Sequence, residues 1–188
     1  MSLDVVILAG GRGTRLTGVW DGPKCFVPVY GRPLIETLVD RALTLNPRKI
    51  FLLLGHRASE VVAWREARCP HRDVVPIIET EPLGTAGALR NARPFLRPPV
   101  LVLNGDTLPG YDLAGLVAFH AWDAVVSVAW HDEKCAGAAV LSDAFFERLA
   151  RSLERDLDAL FGGAYEYSTP GGFLDVGTPD GFYRAQHL

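Results

Sequence analysis

The chain has 188 residues, 48% hydrophobic and 22% charged, with a formal net charge of −3. That length supplies a good core for one domain, expected to span 1–188, and the weak negative charge leaves no electrostatic footprint for nucleic acid, a local basic pocket aside. Cys25, Cys69 and Cys135 are odd in number, far apart and without metal spacing, and the first apolar run, Val5 to Ala9, is too short for a signal or a membrane span. Free thiols and a soluble, cytoplasmic chain with no membrane partner are therefore expected.

DVVILA (Asp4 to Ala9) is short, apolar and β-branched, and reads as a buried strand. Apolar residues at helical spacing run from Leu34 to Leu45, with Pro33 placed to open the helix. KIFLLL (Lys49 to Leu54) is a second buried strand, Ala58 to Ala67 a helix, and VVPII (Val74 to Ile78) a third strand whose Pro76 suits a sheet edge. A short helix over Thr85 to Ala92 precedes VLVLN (Val100 to Asn104), the most apolar strand of the set. Then come a helix over Leu113 to Ala121, strands over Ala124 to Trp130 and Ala138 to Leu141, and a helix from Asp143 through about Leu160. Ala164 to Tyr167 and Phe173 to Asp175 read as short closing strands, and Pro179 starts a last helix. This alternation predicts a three-layer α/β domain with a mostly parallel central sheet, in which ligands gather at the carboxyl ends of the strands.

Three polar, glycine-containing segments fall at that edge. In LAGGRGTRLTGVWDGPK (Leu8 to Lys24), Gly10, Gly11 and Gly13 let backbone approach a ligand closely, and Arg15 and Lys24 add separated cations. The loop is not a Walker motif, because Gly13 is followed by Thr14 and Arg15, nor a dinucleotide fingerprint, because Leu16 stands at the third glycine. What remains is a phosphate-chain cradle of amides with a bidentate arginine and a point-charge lysine. The alternative is a tight strand-to-helix turn. In LVLNGDT, Asp106 follows an apolar strand, either as a turn residue or as a Mg²⁺ ligand; Asp175 in GFLDVGTP has the same context and favours the metal. In ETEPLGTAGA (Glu79 to Ala88), Gly84 allows contact with a flat ring and Thr85 is a plausible N-cap. Cys25 lies beside Lys24, which could lower its pKa, but no histidine partner marks it as a nucleophile. His56, His71, His120, His131 and His187 form no pattern and receive no role; Trp20, Trp64, Trp122 and Trp130 read as packing residues.

Taken together, LAGGRGTRL…PK, EPLGTAGA, LNGD and FLDVGTPDGFYRA resemble, in order and over nearly the whole chain, the sugar-phosphate nucleotidyltransferases. The nearest likeness is to compact guanylyltransferases acting on D-glycero-D-manno-heptose 1-phosphate or mannose 1-phosphate. The resemblance implies a Rossmann-like nucleotidyltransferase fold and the reaction NTP + sugar 1-phosphate → NDP-sugar + pyrophosphate. It implies Leu8, Ala9, Gly10 and Gly11 beside base and ribose, and Gly13, Thr14 and Arg15 on the triphosphate. It sets Lys24 near the α-phosphate, Asp106 and Asp175 on Mg²⁺, and Glu79, Pro82, Gly84 and Thr85 beside the base. Asn104, Gly105, Lys134 and Gly137 fall to the sugar phosphate. Arg15, Lys24 and Asp106 form the catalytic set, and a homodimer would suit the family. Relatives carry a longer stretch before the sugar-side strand, often ending in Glu-Lys-Pro. Here VVSVAW runs through HDEK into CAGAAVL, with Lys134 in place of that lysine and Cys135 in place of the proline. The acceptor side is thus expected to be more open, or shaped for an unusual sugar.

No protein nucleophile is needed, because the attacking phosphate is already deprotonated; catalysis is positioning plus charge neutralisation. Glu79 favours GTP: a carboxylate only accepts, guanine offers two adjacent donors, and adenine presents a lone pair there. CTP is a weaker fit, and the alternative is that Glu79 caps or pairs with a nearby arginine and never touches the base. The alternatives are a compact transferase with another base or a non-sugar acceptor, of phosphocholine or molybdopterin type, and a catalytically inactive nucleotide-sugar-binding regulator. A dinucleotide-dependent oxidoreductase is disfavoured by the loop.

Overall fold

The computed structural model describes residues 3–69, 72–121 and 123–188. His71 and Trp122, read above as a residue without a role and a packing residue, lie outside the described residues. The strands are β1 (Asp4–Leu8), β2 (Pro28–Val29), β3 (Arg32–Pro33), β4 (Lys49–Leu54), β5 (Val74–Ile78), β6 (Val100–Asn104), β7 (Thr107–Pro109), β8 (Val126–His131), β9 (Lys134–Leu141), β10 (Tyr165–Ser168) and β11 (Phe173–Asp175). The helices are α1 (Leu34–Leu43), α2 (Ala58–Arg68), α3 (Gly84–Ala92), α4 (Leu113–Phe119), α5 (Asp143–Arg151) and α6 (Pro179–Ala185). A seven-stranded sheet runs β10-β8-β9-β6-β1-β4-β5. All neighbours are parallel except β9, which is antiparallel to both β6 and β8. The α/β class and the mixed, mostly parallel sheet are as expected, and Pro76 sits on the edge strand β5.

The central strands are apolar throughout because helices cover both sheet faces. Val5 and Ile7 of β1 join one core with α1, α2, α4 and α6, while Val6 joins another with α3 and α5. Leu34, Ile35, Leu38, Val39 and Ala42 form the buried stripe of α1, and Pro33 is its N-cap. Trp64 is buried against Phe26, Trp20 packs on Phe182, and Trp130 packs on the second core, so these three tryptophans are packing residues.

Two expectations need correction. The helix from Asp143 ends at Arg151 rather than near Leu160. Ser152 Oγ accepts the Glu154 amide, the Glu154 carboxylate accepts those of Arg155 and Asp156, and Asp156 accepts that of Asp158. Short polar side chains at alternate positions thus take the amides that a helix would need. Thr85 is not an N-cap: α3 begins after Leu83 without a side-chain cap. Phe173 to Asp175 is a strand with the expected bounds, and it pairs antiparallel with β7, outside the main sheet.

Asp4 opens β1 fully buried; its Oδ2 accepts the Arg97 amide at 2.7 Å and pairs with Arg48. Removing one partner strands a charge in the core. Arg48→Ala is expected to destabilise the fold by about 3 kcal/mol in urea unfolding, the low end for a buried pair because the guanidinium is 21% exposed. An unchanged midpoint would mean that the pair contributes nothing.

Candidate active site

The carboxyl ends of β1, β4, β5 and β6 open into a cleft of about 360 Å³, within the range of small-molecule sites. Leu8, Ala9, Gly10 and Gly11 floor it, Glu79, Pro82, Gly84 and Thr85 form one wall, and Lys24, Asn104, Gly105 and Asp106 form another. Close backbone packing shapes it. The Gly105 amide donates to Leu8 O at 3.0 Å, and a Cβ on Gly10 would reach the Gly55 amide at 3.0 Å. Glu79 Oε2 accepts the Leu83 amide at 3.3 Å, and its Oε1 lies against Gly10 and Gly55. The carboxylate therefore braces its own loop while it lines the cleft.

Beyond Lys24 lies a second, more polar cleft of about 320 Å³, bordered by Arg12, Gly13, Trp20, His56 and Arg57. Arg12 and Lys24 line both. Between them, the amides of Gly11 to Arg15 find no protein acceptor among the described residues. A run of unpaired amides beside two cations is an anion cradle.

The small β7–β11 sheet brings the two aspartates together. Asp175 registers with Thr107, and the Val176 amide donates to Asp106 O at 2.9 Å. Asp106 Oδ2 pairs with Lys24 Nζ; Asp175 Oδ2 lies 3.5 Å from Arg15 and its Oδ1 accepts the Gly177 amide at 2.8 Å. Each acidic group thus has one of the two expected cations as partner. Thr14 and Arg15 border neither cleft, and Arg15 enters only through Asp175.

On the acceptor side the short HDEK connection is a two-residue hairpin. Asp132 and Glu133 both have positive φ, 46° and 61°, and His131 registers with Lys134. Lys134 is exposed on that hairpin and borders neither cleft. Gly137 lies in a bulge of β9 at φ 80°, where a Cβ would stand 2.6 Å from the Thr107 side chain, next to Asp106. Cys25 lines the first cleft, but burial pushes its thiol up to about 12, against the lowering expected from Lys24. Cys25 and Cys135 are free thiols.

Sequence reasoning missed Arg12, Leu53 and Ala88 in the first cleft and His56 and Arg57 in the second. Arg12 stood inside the glycine loop and was legible there. Leu53 and Ala88 are apolar positions indistinguishable from core by pattern.

A mixed, mostly parallel sheet with a glycine loop after its first strand and two aspartates brought together beyond its strand ends is the architecture of the nucleotidyltransferases. The model of the MobA-like NTP transferase domain matches residues 5–166, and the chain belongs to that family. Among curated relatives, the bifunctional protein GlmU of Cellvibrio japonicus (strain Ueda107) is 40% identical over 106 residues, 55% of this chain and 22% of GlmU. The match thus spans about a fifth of that relative's length. HddC from Yersinia pseudotuberculosis, complexed with GMP-PN, superposes with a TM-score of 0.81 at 27% identity, covering 98% of each chain. A glucose-1-phosphate thymidylyltransferase described as putative in Bacillus anthracis gives a TM-score of 0.84 at 18% identity, over 100% of this chain and 95% of that one, a likeness of fold alone. Among the described residues, no helix is long and apolar enough to cross a membrane.

Proposed function

We propose that the chain transfers GMP from GTP to a sugar 1-phosphate, a heptose or mannose 1-phosphate, releasing pyrophosphate. The observation that carries the reading is the Lys24–Asp106 pair in the first cleft, with Lys24 on the wall shared by both clefts and the unpaired amides of Gly11 to Arg15 in the adjoining glycine loop. The base and ribose take the first cleft, against Leu8 to Gly11 and Glu79 to Thr85. The phosphates follow the amides past Lys24. A sugar-phosphate oxygen attacks the α-phosphorus in line, and the bond to the pyrophosphate oxygen breaks; Lys24 and Arg15 neutralise the charge that shifts to the leaving group. Asn104, Gly105, Gly137 and Lys134 face the acceptor side in this reading. The GMP-PN complex of HddC supports a guanine nucleotide.

Asp106 and Asp175 would hold Mg²⁺. They flank Gly177, whose missing side chain makes room there for the end of Lys24 beside Asp106 Oδ2, and whose amide donates to Asp175 Oδ1; the ion would take the place of that ammonium on Asp106. Two carboxylates, with phosphate oxygens and water completing the shell, suit this ion, which when bound supplies charge neutralisation and orientation of the phosphates.

Pyrophosphate release with Mg²⁺, for each common NTP against mannose, glucose and heptose 1-phosphates, tests the reading, with Asp106→Asn as control. Release is expected to require GTP, a sugar 1-phosphate and Asp106. Release only with a non-sugar phosphate would select the second reading, which the two-residue hairpin on the acceptor side favours. Glu79→Gln is expected to cut the preference for GTP over UTP at least tenfold in kcat/KM, because the amide presents a donor where guanine also donates. Undiminished preference would remove Glu79 from base selection.

A further inference from the structure

We infer that residues 152–158 form a strap that fixes the back of the base-facing loop, with Arg155 as its positioning residue, and so set nucleotide affinity and base preference. The inference rests on the reading above. In the strap, Ser152, Glu154 and Asp156 side chains take the amides two positions on. The strap's carbonyls are thereby left to face its neighbour. Arg155 O accepts the Ala86 amide at 3.0 Å, a first-turn donor that α3 itself leaves without a partner. Glu154 O accepts from Arg90, Leu157 donates its amide to Thr85 Oγ1 at 2.8 Å, and the Arg155 guanidinium donates to Pro82 O.

Gly84 records how closely the two segments approach. Its φ is +75°, and a Cβ would stand 2.5 Å from Arg155 O. Pro82, Gly84 and Thr85 thus meet the strap on one side and the first cleft on the other. Within the loop, the Glu79–Leu83 bond is the one brace among the described residues. Holding the loop before the nucleotide arrives removes an ordering cost from binding. A loosened loop should therefore bind the base less tightly and discriminate less, while the phosphate cradle is untouched.

The test is calorimetric titration of the full chain with GTP, UTP, CTP, ATP and inorganic pyrophosphate, each with Mg²⁺. Arg155→Ala and Thr85→Val are expected to weaken the preferred nucleotide about three- to tenfold and to narrow the spread between bases. Arg155→Lys and Thr85→Ser should recover most of both, pyrophosphate affinity should not move, and in turnover KM should rise more than kcat falls. Arg155→Ala lies outside the cleft and keeps the test valid if Thr85→Val does not fold. Wild-type affinity and preference in Arg155→Ala would overturn the strap. So would equal weakening towards pyrophosphate, or a wild-type chain that binds no nucleotide. Strap-dependent nucleotide binding without pyrophosphate release for any sugar phosphate would sink the proposed reaction and leave the strap standing.

Discussion

Lys24→Ala is expected to lower kcat for pyrophosphate release by about 10²–10³-fold, the usual loss when a preorganised charge donor is removed from a phosphoryl or acyl site. The lysine is well placed for that role. Its side chain is only 15% exposed and its ammonium meets an Asp106 carboxylate that is 22% exposed, so the charge acts where water screens little. It also stands where the apolar and the polar cleft meet, so a nucleotide lying across both must bring its phosphates past it. The stem runs between two glycines. A Cβ on Gly13 would touch Lys24 Cβ at 3.6 Å, and one on Gly177 would overlap its Cε and Nζ. Such a corridor fits a narrow methylene chain with a point charge and has no room for a planar fork. Lys24→Arg is therefore expected to be nearly as impaired as Lys24→Ala. A chain with alanine at this position that keeps more than a tenth of wild-type kcat would show that the lysine is only the resting partner of Asp106.

The regular elements were legible because their patterns are strong. KIFLLL, VVPII and VLVLN have the predicted bounds, since each is an unbroken apolar run between polar breaks, the first and last because they are buried in the sheet interior. The glycine loop, the wall from Glu79 to Thr85 and Asp106 gather at one cleft because a parallel sheet delivers its strand ends to one edge. What escaped depends on side chains competing for the backbone or on pairing at long range. In residues 152–158, Leu153 and Leu157 continue the helical spacing of Leu149, but Ser152, Glu154 and Asp156 capture the amides a helix would need. The short β7 has no periodicity of its own, and its partner β11 is remote in sequence, yet this pair brings Asp175 beside Asp106. For Cys25 the sequence shows the charged neighbour Lys24 but not the burial that outweighs it, and the raised thiol agrees with the absence of a nucleophile there. Lys134 was matched to relatives by position, and the hairpin leaves it exposed and outside both clefts.

Gly177→Ala, the smallest change available in this site, is expected to reduce kcat/KM about 10²-fold while the thermal midpoint moves by only a few degrees. The added methyl would fall on Lys24 Cε and Nζ and 2.8 Å from Asp106 Oδ2. Of these, the end of the lysine is the part that can swing away, so the clash is relieved by breaking the Lys24–Asp106 pair rather than by moving the sheet. Gly177 also donates its amide to Asp175, so a shift of its backbone would disturb the second carboxylate as well. Groups that act as one unit lose function together, and removing a second adds little. The double variant Lys24→Ala/Gly177→Ala should therefore be no slower than the slower single, because alanine at 24 has no far end left to collide. Steady-state kinetics on the two singles and the double closes the cycle. Losses that multiply would mean that the methyl acts apart from the lysine, through Asp106 and Asp175 themselves.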